Sequence, residues 1–214
     1  MTYLQIINTV LRRLREDEVT TYDQSDYSKL IGDFVNETKR EVEDAWNWVQ
    51  LRSTVQISTV SGTFRYNLTS AGNRYRVLQV VNDTQDYEMS LAPYKWMNLQ
   101  HTTGNTQTAS PSYYDINGNN SGNPNVDLFP VPDAAYTINF NMIIPQTDFS
   151  DGTTELTVPS WPVILGTYAK ALSERGEDGG LQFAEAARMY DTALSDAIAI
   201  DAQKVPHELV WEAI

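Results

Sequence analysis

Ala45-Trp46-Asn47-Trp48-Val49-Gln50-Leu51-Arg52-Ser53-Thr54-Val55-Gln56-Ile57-Ser58 is the stretch in which the periodicity of the sequence changes. On its N-terminal side apolar residues recur every three or four positions. Tyr27, Leu30, Ile31, Phe34, Val35, Thr38, Val42, Ala45 and Trp46 form one stripe, which predicts a helix from about Ser25 to Val49 with Ser25 or Asp26 as N-cap. From Leu51 the period is two. Leu51, Ser53, Val55 and Ile57 share one face and Arg52, Thr54, Gln56 and Ser58 the other, the alternation of a half-buried strand. The helical period returns once, after Thr157-Val158-Pro159-Ser160.

Outward from this junction, Leu4, Ile7, Leu11 and Leu14 predict an amphipathic helix over residues 3–15. Downstream, strands are expected at 64–68, 75–81 and 87–91, separated by Ser61-Gly62-Thr63, Ala71-Gly72-Asn73 and Asn82-Asp83. A short helix fits Pro93 to Leu99. The polar run 100–111 reads as an exposed loop, and strands at 112–116 and 126–129 are joined by the Asn- and Gly-rich linker 117–124. Pro130-Val131-Pro132-Asp133 breaks the chain before a long strand at 136–144. Helices are expected at 161–175 and 181–203, the second with Phe183, Ala186, Ala187, Tyr190, Ala193, Leu194, Ala197 and Ile198 along one stripe. Gly176, Gly179 and Gly180 separate them. No repeat of 20 to 50 residues is present.

The order helix, sheet, helix predicts the α+β class. The expected architecture is a helical bundle from the N- and C-terminal helices (1–50 and 158–203), an inserted antiparallel β-rich lobe (51–157) and an extended C-terminal tail (204–214).

Composition narrows the function. The 214 residues contain no cysteine, which excludes disulfides, zinc ribbons, iron–sulfur clusters and a thiol nucleophile. With 28 acids against 15 bases the net charge is −13 and the pI is near 4.4. That balance argues against a surface built to hold nucleic acid, because phosphate affinity comes largely from lysine and arginine. The acidity is uneven: 10 acids and 6 bases in 1–50, 7 and 5 in 51–150, and 11 and 4 in 151–214. No stretch approaches the roughly 18 apolar residues needed to span a bilayer, and no membrane association is expected. The reading is a soluble protein made in the cytoplasm.

Residues that could carry chemistry are few. His101 and His207 stand alone, one in a polar loop and one in the tail, too isolated for a metal site or a serine–histidine relay. The glycine groups lack the lysine-serine or lysine-threonine of a phosphate loop. Glu16-Asp17-Glu18, Glu41-Glu43-Asp44 and Glu177-Asp178 fall at helix ends or on polar faces, where solvated charge explains them. Trp46, Trp48, Tyr94, Trp96, Tyr113, Tyr114 and Trp161 cluster near predicted helix–strand junctions, and are read as filling the seam between bundle and lobe. No catalytic residue, cofactor or metal is therefore assigned. The tail is different. Val205, Pro206, Leu209, Val210, Trp211 and Ile214 form a dense apolar set after a helix has ended, the composition of an interface anchor.

The succession of a long helix ending in Ala45-Trp46-Asn47-Trp48, Leu51-Arg52-Ser53-Thr54-Val55, then Leu128-Phe129-Pro130-Val131-Pro132-Asp133 before Tyr136-Thr137-Ile138, then Val158-Pro159-Ser160-Trp161 opening a helix, resembles the head-to-tail adaptor proteins of short-tailed bacteriophages. The resemblance covers the whole layout. It implies a structural, non-enzymatic virion protein of the neck and tail, forming a homo-oligomeric ring of twelve copies between the portal protein and the tail nozzle or tail fibres. It also implies a central channel through which genome DNA passes unrecognised, and a C-terminal extension that holds the portal, a role matching the tail residues named above. An acidic lining would let DNA slide without sticking. Alternatives are a nozzle or stopper protein, a cell-wall glycan hydrolase using paired carboxylates, and a carbohydrate-binding module using exposed rings.

Overall fold

The computed structural model describes residues 1–102, 107–176 and 181–205, and the chain divides into two compact units, residues 1–51 with 145–214 and residues 52–144.

The first unit is helical. α1 (Tyr3–Arg13) and α2 (Asp26–Ala45) are both opened by capping boxes, Thr2 with Gln5 and Ser25 with Ser28, so the N-cap expected at Ser25 is present. Ile6, Ile7, Val10 and Leu11 of α1 and Ile31, Val35 and Val42 of α2 are buried. α2 stops four residues before the predicted Val49. Trp46 is extended, and Trp48 folds back, fully buried, with its indole N–H donating to the Val42 carbonyl at 2.6 Å. That bond satisfies a terminal carbonyl that the next helical turn would otherwise take. α4 (Ser160–Arg175) packs on α1 and α2 and ends at Gly176, whose left-handed φ of 61° suits glycine. α5 (Leu181–Ala202) lies along α4. Contact between α2, α4 and α5 is close at Gly166, where an added Cβ would sit 2.5 Å from Thr38 Cγ2 and 3.0 Å from Tyr190.

Residues 145–158 belong to this unit and are strapped to it by polar contacts. Tyr3 and Leu4 N–H groups, left without partners inside α1, donate to the Thr154 and Gly152 carbonyls at 2.9 and 3.1 Å. The Asn36 amide exchanges bonds with the Phe149 backbone at 2.8 and 3.1 Å. Lys39 is fully buried and donates to the Gln146 and Thr147 carbonyls at 2.7 and 2.9 Å, with Glu43 Oε1 at 3.5 Å. Glu43 in turn accepts the Gln146 N–H.

The second unit holds two four-stranded sheets. β1 (Arg52–Ser58), β3 (Arg76–Asn82), β4 (Tyr87–Glu88) and β8 (Thr137–Ile143) form one in the order β1-β8-β3-β4; β2 (Arg65–Asn67), β5 (Ser90–Leu91), β6 (Tyr113–Asn120) and β7 (Asn123–Phe129) form the other in the order β2-β7-β6-β5. Ile57, Val80, Ile138, Phe140 and Met142 from the first share a core with Leu68, Tyr114, Val126 and Leu128 from the second. The α+β class is as read, and the inward face of β1 carries Val55 and Ile57 as its alternation requires.

Three local expectations are corrected. The strand expected at 87–91 is two, in different sheets: Met89, buried between them, donates to Val80, while Ser90 donates to Ser112. β5 pairs with β6 in parallel, within a lobe whose other strand pairs are antiparallel as read. The linker 117–124 is mostly strand, because Ser121 and Gly122, at φ 53° and 81°, make a two-residue turn with both residues in positive φ, and β6 and β7 run up to it. The loop expected at 100–111 starts as helix, since α3 (Tyr94–Thr102) runs into it, and Gln107 and Ala109 exchange backbone bonds with Val131.

Candidate functional site

The acidic groups singled out from sequence sit mostly in ion pairs on the helical unit. Glu16 pairs with Arg175, Glu18 with Arg12 at 3.3 Å, and Glu41 with Lys170 at 2.8 Å, while Glu43 faces Lys39. Glu177 and Asp178 lie outside the described residues. Among the described residues no cluster of three or more histidine or acidic side chains is placed to hold a metal ion.

The aromatic rings are distributed within the two units. Trp48 is in the helical core, Tyr114 in the β core at 5.9 Å from Phe140, and Trp96 packs on Tyr113 and Phe129, both at 5.2 Å. His101 stacks on Phe64 at 4.2 Å with its Nε2 unbonded, and burial holds its pKa below the usual value. It is packed as an aromatic between Phe64 and Phe129. Tyr94 and Trp161 remain 56% and 53% exposed.

Pattern reading missed one carboxylate pair. Asp115 and Asp127 face each other across β6 and β7. Asp127 accepts a bidentate bond from Arg65 at 2.6 and 2.7 Å and one from Asn117 at 2.7 Å. Burial, then the neighbouring Asp127, raises the Asp115 pKa. Two facing carboxylates are the raw material of a glycosidase. Both, however, are buried, at 7% and 2% exposure, which leaves a glycan no approach. The alternation of β6 and β7 was the available signal, but the register between the strands depends on a bulge at Ile116–Asn119 that pattern reading cannot locate.

A groove of about 770 Å³ lies on the helical unit, between the start of α4 and one face of α5. Pro159, Trp161, Pro162 and Leu165 form one wall and Met189, Ala193, Ala197 and Ile200 the other. Trp161, Met189 and Ile200 are 53%, 48% and 62% exposed, an unusual amount of large apolar surface for one face. Arg13, Arg188 and Lys204 stand among the lining residues, with Asp196 and Asp201. Arg13 lies over the Trp161 ring at 4.9 Å. Of the stripe named from sequence, Ala186 and Ala193 are buried while Phe183 is exposed, and Ala193 and Ala197 also reach the groove, where Met189 and Ile200 widen the apolar face. The spacing of Met189, Ala193, Ala197 and Ile200 carried that signal.

The predicted anchor is reached only at its first residue. Val205 is half-buried, its N–H donating to the Ala202 carbonyl at 3.3 Å, and Pro206, His207, Leu209, Val210, Trp211 and Ile214 lie outside the described residues. Just before it, the buried Asp201 carboxylate accepts the Val49 N–H and pairs with Lys204, both at 3.0 Å. No helix among the described residues is long and apolar enough to cross a membrane.

Compared with known proteins, residues 1–208 match the model of the SU10 adaptor protein family. A search of the curated proteins finds no match.

Proposed function

Because the chain belongs to the SU10 adaptor protein family, a family of structural phage adaptors, we propose that it is the head-to-tail adaptor of a phage neck, assembled as a ring of twelve copies between portal protein and tail nozzle. It is made in the host cytoplasm and incorporated into the virion. The observation that supports this reading is the extent of the match, which takes in both units and reaches into the tail. In this reading the helical unit builds the ring and Val205, Pro206, Leu209, Val210, Trp211 and Ile214 hold the portal.

Charge gives the channel a physical rationale. The unit of residues 1–51 and 145–214 carries 22 acids and 10 bases, and the β unit 6 and 5, so nearly all the net −13 resides in the helical part. A bore lined by part of that excess repels phosphates and lets DNA move without being held. The direct test is negative-stain imaging of the protein mixed with its portal, for the full chain and for a chain truncated after Lys204. Full-length rings seated on the portal, and their loss on truncation, are expected; undiminished portal binding by the truncated chain would remove the tail from the interface.

A further inference from the structure

The groove described above ends where the undescribed tail begins. Lys204 and Ile200 both line it, and Val205 is the next residue after Lys204. α5 ends at Ala202, and Gln203, Lys204 and Val205 carry the chain out of the helix at the groove's edge. The last described turn is pinned there by Asp201, through Val49 and Lys204.

Length and charge then select an occupant. The wall contributed by α5, from Arg188 to Ile200, is about 18 Å long at the rise of an α-helix. Residues 206–214 reach about 30 Å when extended, enough to turn back and run the length of that wall. The tail carries Glu208 and Glu212 among Leu209, Val210, Trp211 and Ile214. The groove presents Trp161, Met189 and Ile200 to solvent together with three bases, Arg13, Arg188 and Lys204, against two acids, Asp196 and Asp201, a lining in which bases outnumber acids within a strongly acidic unit. A tethered segment also meets its site at an effective concentration in the millimolar range, well above that of any free partner.

We infer that in the unassembled protein residues 206–214 fold back into the groove between α4 and α5 of their own chain, covering Trp161, Met189 and Ile200 with their apolar side chains. The groove is thus a parking site for the tail. Its occupation keeps two sticky surfaces, groove and anchor, out of solution until assembly. The inference concerns the free chain and stands independently of whether the tail later engages a portal.

The absence of cysteine makes the test clean, since any disulfide must come from introduced residues. Met189→Cys combined with Ile214→Cys in the full-length protein, mildly oxidised and run on a non-reducing gel, should give a fast-migrating monomer in a yield independent of protein concentration. Dimer bands that grow with concentration would transfer the groove to a second copy, and no disulfide at all would leave the tail elsewhere; either overturns the inference. A second measurement uses exposed positions that the fold tolerates. In Met189→Glu/Ile200→Glu, trypsin should cut after Lys204 at least tenfold faster than in the parent, with the rest of the chain equally resistant. Equal cutting rates would count against a docked tail.

Discussion

Asp115 shows how a single side chain can be held at a cost inside the β unit. It faces Asp127 across the β6–β7 ladder, but Arg65 and Asn117 both serve Asp127, and Asp115 Oδ2 has no hydrogen-bond partner. Burial and the adjacent negative charge raise its pKa above the ordinary carboxylate value. With the folded pKa above the unfolded one, the native state binds the proton more tightly, so stability is lost as pH rises from the ordinary carboxylate range through the raised value. Above the raised value the whole penalty stands. Asp115→Asn removes the charge, keeps the shape and offers an amide donor toward Asp127. It should stabilise the protein by about 1 kcal/mol at pH 7, the scale of an unsatisfied buried polar group. At about pH 3, below the unfolded carboxylate value, the two proteins should melt together. Thermal melts at both pH values test this, and an asparagine variant that melts lower at pH 7 would show that the carboxylate is bound by something it needs.

At the scale of elements, the helical unit depends on close approach. Gly166 on α4 lets Thr38 of α2 and Tyr190 of α5 come within van der Waals range, and burial beside them pushes the Tyr190 pKa up to about 12. Gly166→Ala gains about 1 kcal/mol of helix propensity but must displace Thr38 or the Tyr190 ring, at about 1–3 kcal/mol. The expected net result is a melting point several degrees lower, at about 2–4 °C per kcal/mol for a chain of this size. An unchanged or raised melting point would mean that α5 yields freely. The same elements show what patterning conveys. Helices α1, α2, α4 and α5 and the turn to β1 were legible because a stripe at period 3.6 and an alternation at period two are local properties of the chain. The end of α2 was not, because the indole of Trp48 reaches back to Val42, a choice made by tertiary packing. Nor was the division of 87–91 between two sheets, since it depends on where Val80 and Ser112 lie. The hairpin at Ser121-Gly122 had a signal in its turn residues, hidden by a polar stretch that also reads as loop. The groove was half legible: its α5 spacing was present, but Trp161 and Pro162 come from a different helix.

For the whole molecule, the uneven charge sets a condition on assembly. Each chain carries −13, concentrated in the unit that would line and build a ring, so bringing copies together crowds like charge. Ion pairs do not offset this within the chain. The exposed ones, such as Lys170 with Glu37 and Glu41, consume the few bases available and contribute little each. Assembly must then be driven by apolar surface and opposed by electrostatics. Salt discriminates between these, because the screening length falls from about 30 Å at 0.01 M to about 8 Å at physiological ionic strength while apolar burial is little affected. Sedimentation velocity across that range should show ring formation strengthening as salt is raised, by at least tenfold in apparent association constant. The expected order is the reverse of an interface held by complementary ion pairs, which salt weakens. Rings that dissociate as salt rises would place Lys and Arg in the subunit contacts, and the excess acid would then be acting in assembly and not in the passage of DNA.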